Sequence, residues 1–154
     1  MARDITSAFN TAIKSTNVRP IFAVELEISD GTLRFWGGYG SLTMTAGGSS
    51  KVFTGTGDLL GFTPIQETST LQMSGVTVSL TGIKSSIISS ILSAQYTNRN
   101  GTIYMGLFDS SKSVIADVYT LFKGKMDVAN IQEQADTSIV TLNIESRLVQ
   151  FDLP

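Results

Sequence analysis

The sequence predicts a mainly β domain, an antiparallel barrel or sandwich carrying one short N-terminal helix and one internal helix. Three observations lead to it. Apolar residues recur at every second position, as at Phe22, Val24, Leu26 and Ile28 or at Val76, Val78 and Leu80, the pattern of a strand with one buried face. Turn-forming clusters punctuate these runs, among them Asp30-Gly31 and residues 98–101, 110–113 and 134–137. Helical spacing of apolar residues appears in only two short stretches.

The first element is one of those helices. In DITSAFNTAIK, Ile5, Ala8, Phe9, Ala12 and Ile13 line one helical face, and Asp4 is placed to cap its start. So short a helix needs a surface to dock on. Either it covers the end of its own domain or it packs on a neighbouring subunit. A polar connector, residues 15–19, leads to Pro20 and then to the strand IFAVELEIS, with Glu25 and Glu27 on the face opposite the apolar row. That face is expected to meet solvent, which makes the two acids surface residues rather than an acid/base pair. Asp30-Gly31 turns the chain into a return strand over residues 32–36.

WGGYG (36–40) and AGGSS (46–50) follow as glycine-rich loops. Neither continues into Lys-Ser/Thr or shows G-x-G-x-x-G before a helix, so neither makes a phosphate cradle. The first carries Trp36 and Tyr39, which marks it as a contact candidate. Residues 51–54 form a short strand, and residues 60–67 an extended segment broken by Pro64. The central stretch is LQMSGVTVSLTGI, residues 71–83. Its alternation slips by one residue at Ser74-Gly75, where a β-bulge would restore the buried face. It leads into the internal helix, KSSIISSIL, with Ile87, Ile88, Ile91 and Leu92 at helical spacing. TIYMGLFD (102–109) is apolar on both faces and so buried on both. A long strand runs over residues 114–132 with a bend or bulge expected at Gly124, and the last strand, residues 138–148, turns Val140, Leu142, Ile144 and Leu148 inward. The divisions are an arm (1–17), a β domain (18–150) and a tail (151–154).

At 154 residues the chain has the length of one domain. A domain of that size buries roughly 70% of its unfolded surface, enough for one core without staples. Charged residues make up 16%, against about 25% in ordinary soluble domains, and Ser, Thr, Gly and Asn fill the difference. A surface so poor in charge suits burial against protein neighbours. The net charge of −2 and the scattering of eleven Lys and Arg argue against nucleic-acid binding. No run approaches the ~18 apolar residues of a membrane span. The opening MARDITSAFN has no apolar signal region, so synthesis in a cytoplasm is expected.

The chain contains no cysteine and no histidine. This excludes disulfides and thiolate chemistry, and removes both the commonest general base and the commonest transition-metal ligand. The serines form no G-x-S-x-G elbow, and Asp109, Asp117 and Asp127 lack calcium-loop spacing. No catalytic, cofactor-binding or metal-binding residue is expected, and the chain is not expected to be an enzyme.

Taken in order, DGTLRFWGG, KVFTGTGDLLGFTPI, LQMSGVTVSLTGI with its following helix, GTIYMGLFD and LFKGKMDVANIQEQADTSIVTLNIESRLVQ resemble the N-terminal domain of baseplate hub (tail-tip) proteins of long-tailed phages and gene transfer agents. The last string ends in Glu145-Ser146-Arg147-Leu148, which is similar to a Leu-x-x-Arg-Leu motif of that family. The resemblance covers about residues 18–150. It implies a structural subunit of a virion tail tip, forming a trimeric or hexameric ring with copies of itself and other tail proteins, between the tail tube and the host-recognition apparatus. Full-length members continue into a cysteine-bearing region that can hold an iron–sulfur cluster, a function not carried over to a chain without cysteine. Phe9 and Ile13 of the arm, Trp36 and Tyr39 of the loop, and Phe151 and Leu153 of the tail are the candidate subunit contacts. Two alternatives stand beside this one: another tail component (distal tail, tube or terminator protein), or a carbohydrate- or peptide-binding β-module with Trp36 as its platform.

Overall fold

The computed structural model describes residues 5–57, 60–65, 75–81, 95–115, 118–134 and 137–146. The first alternating run forms β1 (Pro20–Ile28), which returns as β2 (Gly31–Trp36) with Ile28 paired to Gly31. The turn therefore sits on Ser29-Asp30, one residue earlier than the sequence indicates. Gly31 opens the return strand at φ +141°, a conformation that a side chain disfavours. A second hairpin joins β3 (Ser41–Ala46) to β4 (Ser49–Gly55). Its turn residues, Gly47 and Gly48, have φ of +62° and +77°, the positive pair that a type I′ turn demands. The stretch expected to be a loop at 46–50 is thus the tip of a tight hairpin, and β3 is a strand where none was expected.

The remaining strands are β5 (Leu60–Phe62), β6 (Gly75–Thr81), β7 (Asn100–Leu107), β8 (Tyr119–Gln134) and β9 (Thr137–Ser146). They join one sheet in the order β3-β4-β2-β1-β7-β8-β9-β6-β5. Its named pairs are antiparallel apart from β2 with β4, which run parallel over two residue pairs, Phe35↔Thr54 and Trp36↔Gly55. The mainly β class is as expected. The sheet does not close into a barrel, yet it curls far enough for Phe62 of β5 to meet Phe22 of β1 edge-on, ring centroids 5.1 Å apart.

Both faces of β1 are buried. Val24, Leu26 and Phe35 lie in the main core with Val78, Ile103 and Ile144. Ile21 and Ala23 lie in a second core with Met44, Phe53 and Tyr104, covered by the β3–β4 hairpin. Each fully buried aliphatic side chain contributes about 1.5–3 kcal/mol relative to exposure. Strand β7, read as apolar on both faces, is buried on both as expected. Val140, Leu142 and Ile144 of β9 face inward as expected.

Gly124 carries no register shift. It pairs with Gly101, and the main core closes on this glycine pair: a Cβ at 101 would lie 2.7 Å from the Ile144 side chain, and one at 124 would collide with the Glu145 carbonyl. Close approach, not curvature, requires glycine there. The irregularities of β8 fall elsewhere, against β7 between Ile103 and Tyr104 and against β9 between Met126 and Ala129.

Helix α1 (Ser7–Ile13) packs against β7 and buries Phe9 in the chain's own fold. Thr6 is its N-cap, its hydroxyl accepting from the Phe9 amide at 3.3 Å. Asp4, expected in that role, lies outside the described residues, as do the internal helix, the Ser74 side of the phase slip, Leu148, and Phe151 and Leu153 of the tail.

Candidate functional site

The described candidate contacts lie on two elements, helix α1 and the corner that follows β2. Trp36 ends β2, and its indole N–H donates to the Gly40 carbonyl at 3.0 Å. Its ring meets Phe108 edge-on, centroids 6.2 Å apart. Gly38 lies against the indole so closely that a Cβ there would collide with the ring. Backbone bonds cross-link the segment: Gly37 N–H donates to Phe22 O at 3.1 Å, Gly55 N–H to Gly40 O at 2.7 Å and Gly57 N–H to Gly38 O at 3.0 Å. The sequence reads WGGYG as a flexible loop; it is instead a densely bonded corner, with glycines where carbonyls and a ring approach. Tyr39 projects from it, 75% exposed. Trp36, half-buried with Gly38 against its ring, does not offer the open aromatic platform of a sugar-binding module.

Beside this corner lies the most concentrated charge among the described residues. Glu25 sits on the second-core face of β1, opposite Arg34 of β2 and Thr102 of β7. It is 9% exposed, so the expectation that this face meets solvent is corrected for Glu25. The reason is the hairpin: β3 and β4 lie over the face that a single-layered sheet would leave wet. Met44 pairs with Lys51, and Lys51 points inward with it. Its Nζ reaches Glu25 Oε1 at 2.9 Å, while Arg34 Nε reaches Oε2 at 2.6 Å. The Tyr104 hydroxyl donates to Oε1 at 3.5 Å, and Lys51 stands 5.8 Å from the Tyr104 ring centroid. Glu27 is half-buried and accepts from the Asn100 amide at 2.7 Å.

The electrostatics follow from this packing. Burial pushes the Glu25 carboxyl upward, but hydrogen bonds and charge from Lys51 and Arg34 outweigh it and hold the group below its ordinary value. Burial would lower Lys51; the Glu25 carboxylate reverses that and raises it. Tyr104 is raised, by burial first and then by the Glu25 charge. A protonated lysine and a carboxylate held by two cations are poor nucleophiles and bases. The cluster ties β1, β2 and β4 together.

A cavity of about 430 Å³ opens between the arm connector and the end of β7, lined by Val18, Arg19, Leu107, Phe108 and Asp109 among others. Among the described residues its one carboxylate is already engaged, Asp109 Oδ1 accepting from the amides of Ser111 and Ser113 at 2.8 and 2.9 Å. Among the described residues no group of three or more acidic side chains is placed to hold a metal ion, and no helix is long and apolar enough to cross a membrane.

Of the other candidates, Ile13 is 43% exposed on the outer side of α1, and Phe9 is 3% exposed and faces the domain. Sequence reasoning missed Glu25, though a signal was present. Lys51 is the one charged residue in the run from Phe35 to Gly57, and a lone charge on an alternating strand asks for a partner. Compared with known proteins, the chain matches no family model and no curated protein.

Proposed function

We propose that the chain is a structural subunit of a phage tail tip or baseplate, built into a trimeric or hexameric ring that joins the tail tube to the host-recognition apparatus. The observation that carries this reading is the ordered series of strings from DGTLRFWGG to ESRLVQ, which resembles the hub N-terminal domain in the order and spacing of its pattern. A mainly β domain poor in charge, with its most concentrated charges turned inward, supports it. In this reading the protein acts by contact rather than by chemistry, in the virion after synthesis in a host cytoplasm. A ring requires head-to-tail contacts between two different surfaces of each copy. Ile13 and Tyr39 are the described candidates that project outward.

The gene's surroundings test the reading at little cost. A tape-measure gene upstream and a fibre or peptidase gene downstream are expected, and metabolic neighbours would remove the proposal. Ring stoichiometry in a virion map then separates the hub from a distal tail, tube or terminator protein.

A further inference from the structure

We propose that the β3–β4 hairpin is a hinged flap that opens as a unit from the rest of the sheet, latched shut by the Lys51–Glu25 ion pair. Its backbone joins the sheet through two residue pairs with β2, whereas β1 is laddered to β2 over six pairs and to β7 over seven. Both of its ends run into glycines with positive φ, Gly40 at +71° and Gly57 at +77°, where the chain can pivot without a Cβ clash. The Gly55 amide on the Gly40 carbonyl ties the two ends together, so the hairpin swings as one piece.

Away from the pivots, polar contacts among the described residues hold the flap down: Lys51 Nζ on Glu25 Oε1 at 2.9 Å and near the Tyr104 ring at 5.8 Å, and the Val118 amide on the Thr45 carbonyl at 3.2 Å. Beneath them Met44, Ala46 and Phe53 cover Ile21, Ala23 and Tyr104 in a core separate from the main one. Separate small cores are the units that open sub-globally, below the free energy of complete unfolding. The charges favour this. Opening strands no buried ion, because Glu25 keeps Arg34 at 2.6 Å while Lys51 passes into water. The open form bares an apolar strip on β1 and β7. This property belongs to the hairpin whether or not the chain is a tail subunit.

Amide hydrogen exchange on the full chain at neutral pH tests it, with two variants. Once detached, a lone two-stranded ribbon does not hold its own ladder, so in the unsubstituted protein the paired amides of Ser41–Ala46 and Ser49–Gly55 are expected to exchange at least tenfold faster, after correction for intrinsic rates, than those of β9. Ile144→Val, confined to the main core, is expected to accelerate β9 amides about fivefold and leave the hairpin unchanged. Lys51→Met is expected to accelerate the hairpin amides about fivefold. If hairpin and β9 amides share one protection level, or if Ile144→Val moves both by the same factor, the hairpin opens only by global unfolding and the flap is overturned. Hairpin rates unmoved by Lys51→Met overturn the latch.

Discussion

Glu25 accepts from two cations, and this makes the cost of breaking the cluster depend on which partner is removed. Lys51→Met keeps an unbranched side chain of similar length against Tyr104 and leaves the carboxylate bound to Arg34 at 2.6 Å. What is lost is one ion pair between side chains 17% and 11% exposed, worth about 1 kcal/mol after solvent screening at the lysine tip. Glu25→Gln leaves Lys51 and Arg34 facing each other with no counter-charge. Removing one partner of a fully buried pair costs about 3–5 kcal/mol. Arg34, at 31% side-chain exposure, can shed part of that into water, so about 2–3 kcal/mol is expected. In the double variant the Lys51 charge is gone as well, and its total should fall about 1 kcal/mol short of the sum. Urea unfolding at neutral pH, followed by Trp36 fluorescence and by circular dichroism, measures all three. Lys51→Met costing as much as Glu25→Gln, or strictly additive losses, would refute the claim that Arg34 and Lys51 share one carboxylate.

Three further outcomes follow from the same geometry. Because Lys51 and Arg34 hold Glu25 below the ordinary value of a glutamate, its contribution is fully present above that ordinary value and is lost as pH falls through the lowered folded value. The stability gap between the unsubstituted protein and Glu25→Gln should therefore close in acid, and a gap constant down to pH 3 would contradict the assignment. Gly124→Ala drives a methyl into the Glu145 carbonyl and is expected to cost more than about 2 kcal/mol, read as a lowered melting temperature. Phe9→Ala and Tyr39→Ala separate fold from contact: the first, 3% exposed, should cost about 3 kcal/mol, and the second, 75% exposed, under about 0.5 kcal/mol while weakening the proposed ring assembly.

Much of the sheet is legible in the residues because alternation is a local signal. Val140, Leu142 and Ile144 face inward as their spacing says, and TIYMGLFD is buried on both faces as its lack of a polar row says. Reading stops where the cause is non-local. Glu25 occupies the position that a two-faced strand gives to solvent, and its burial depends on a hairpin arriving from residues 41–55. That hairpin was hard to see because SLTMTA is short and threonine-rich and because Gly47-Gly48 sits within a longer glycine-serine run. Gly124 reads as a bend or bulge for a similar reason. Its partner Gly101 lies on another strand, and only the pairing shows that Ile144 fills the space between them. The candidate contacts divide the same way: helical spacing puts Phe9 and Ile13 on one stripe, but the docking of α1 on β7 turns Phe9 in and leaves Ile13 43% exposed.

The glycines around Trp36 bear on the functional reading. A loop that orders only on binding loses conformational entropy at that moment, which weakens the contact. Here that cost is met during folding: the Trp36 indole donates to Gly40 O, and Gly55 and Gly57 donate to Gly40 O and Gly38 O before any partner arrives. Tyr39 is thus presented from a bonded corner rather than a mobile tip, and tyrosine gives large contact area for little side-chain entropy. Among the described residues, the nearby Lys51 and Arg34 are both spent on Glu25. A partner meeting Tyr39 would find an aromatic ring set among glycine, serine and threonine.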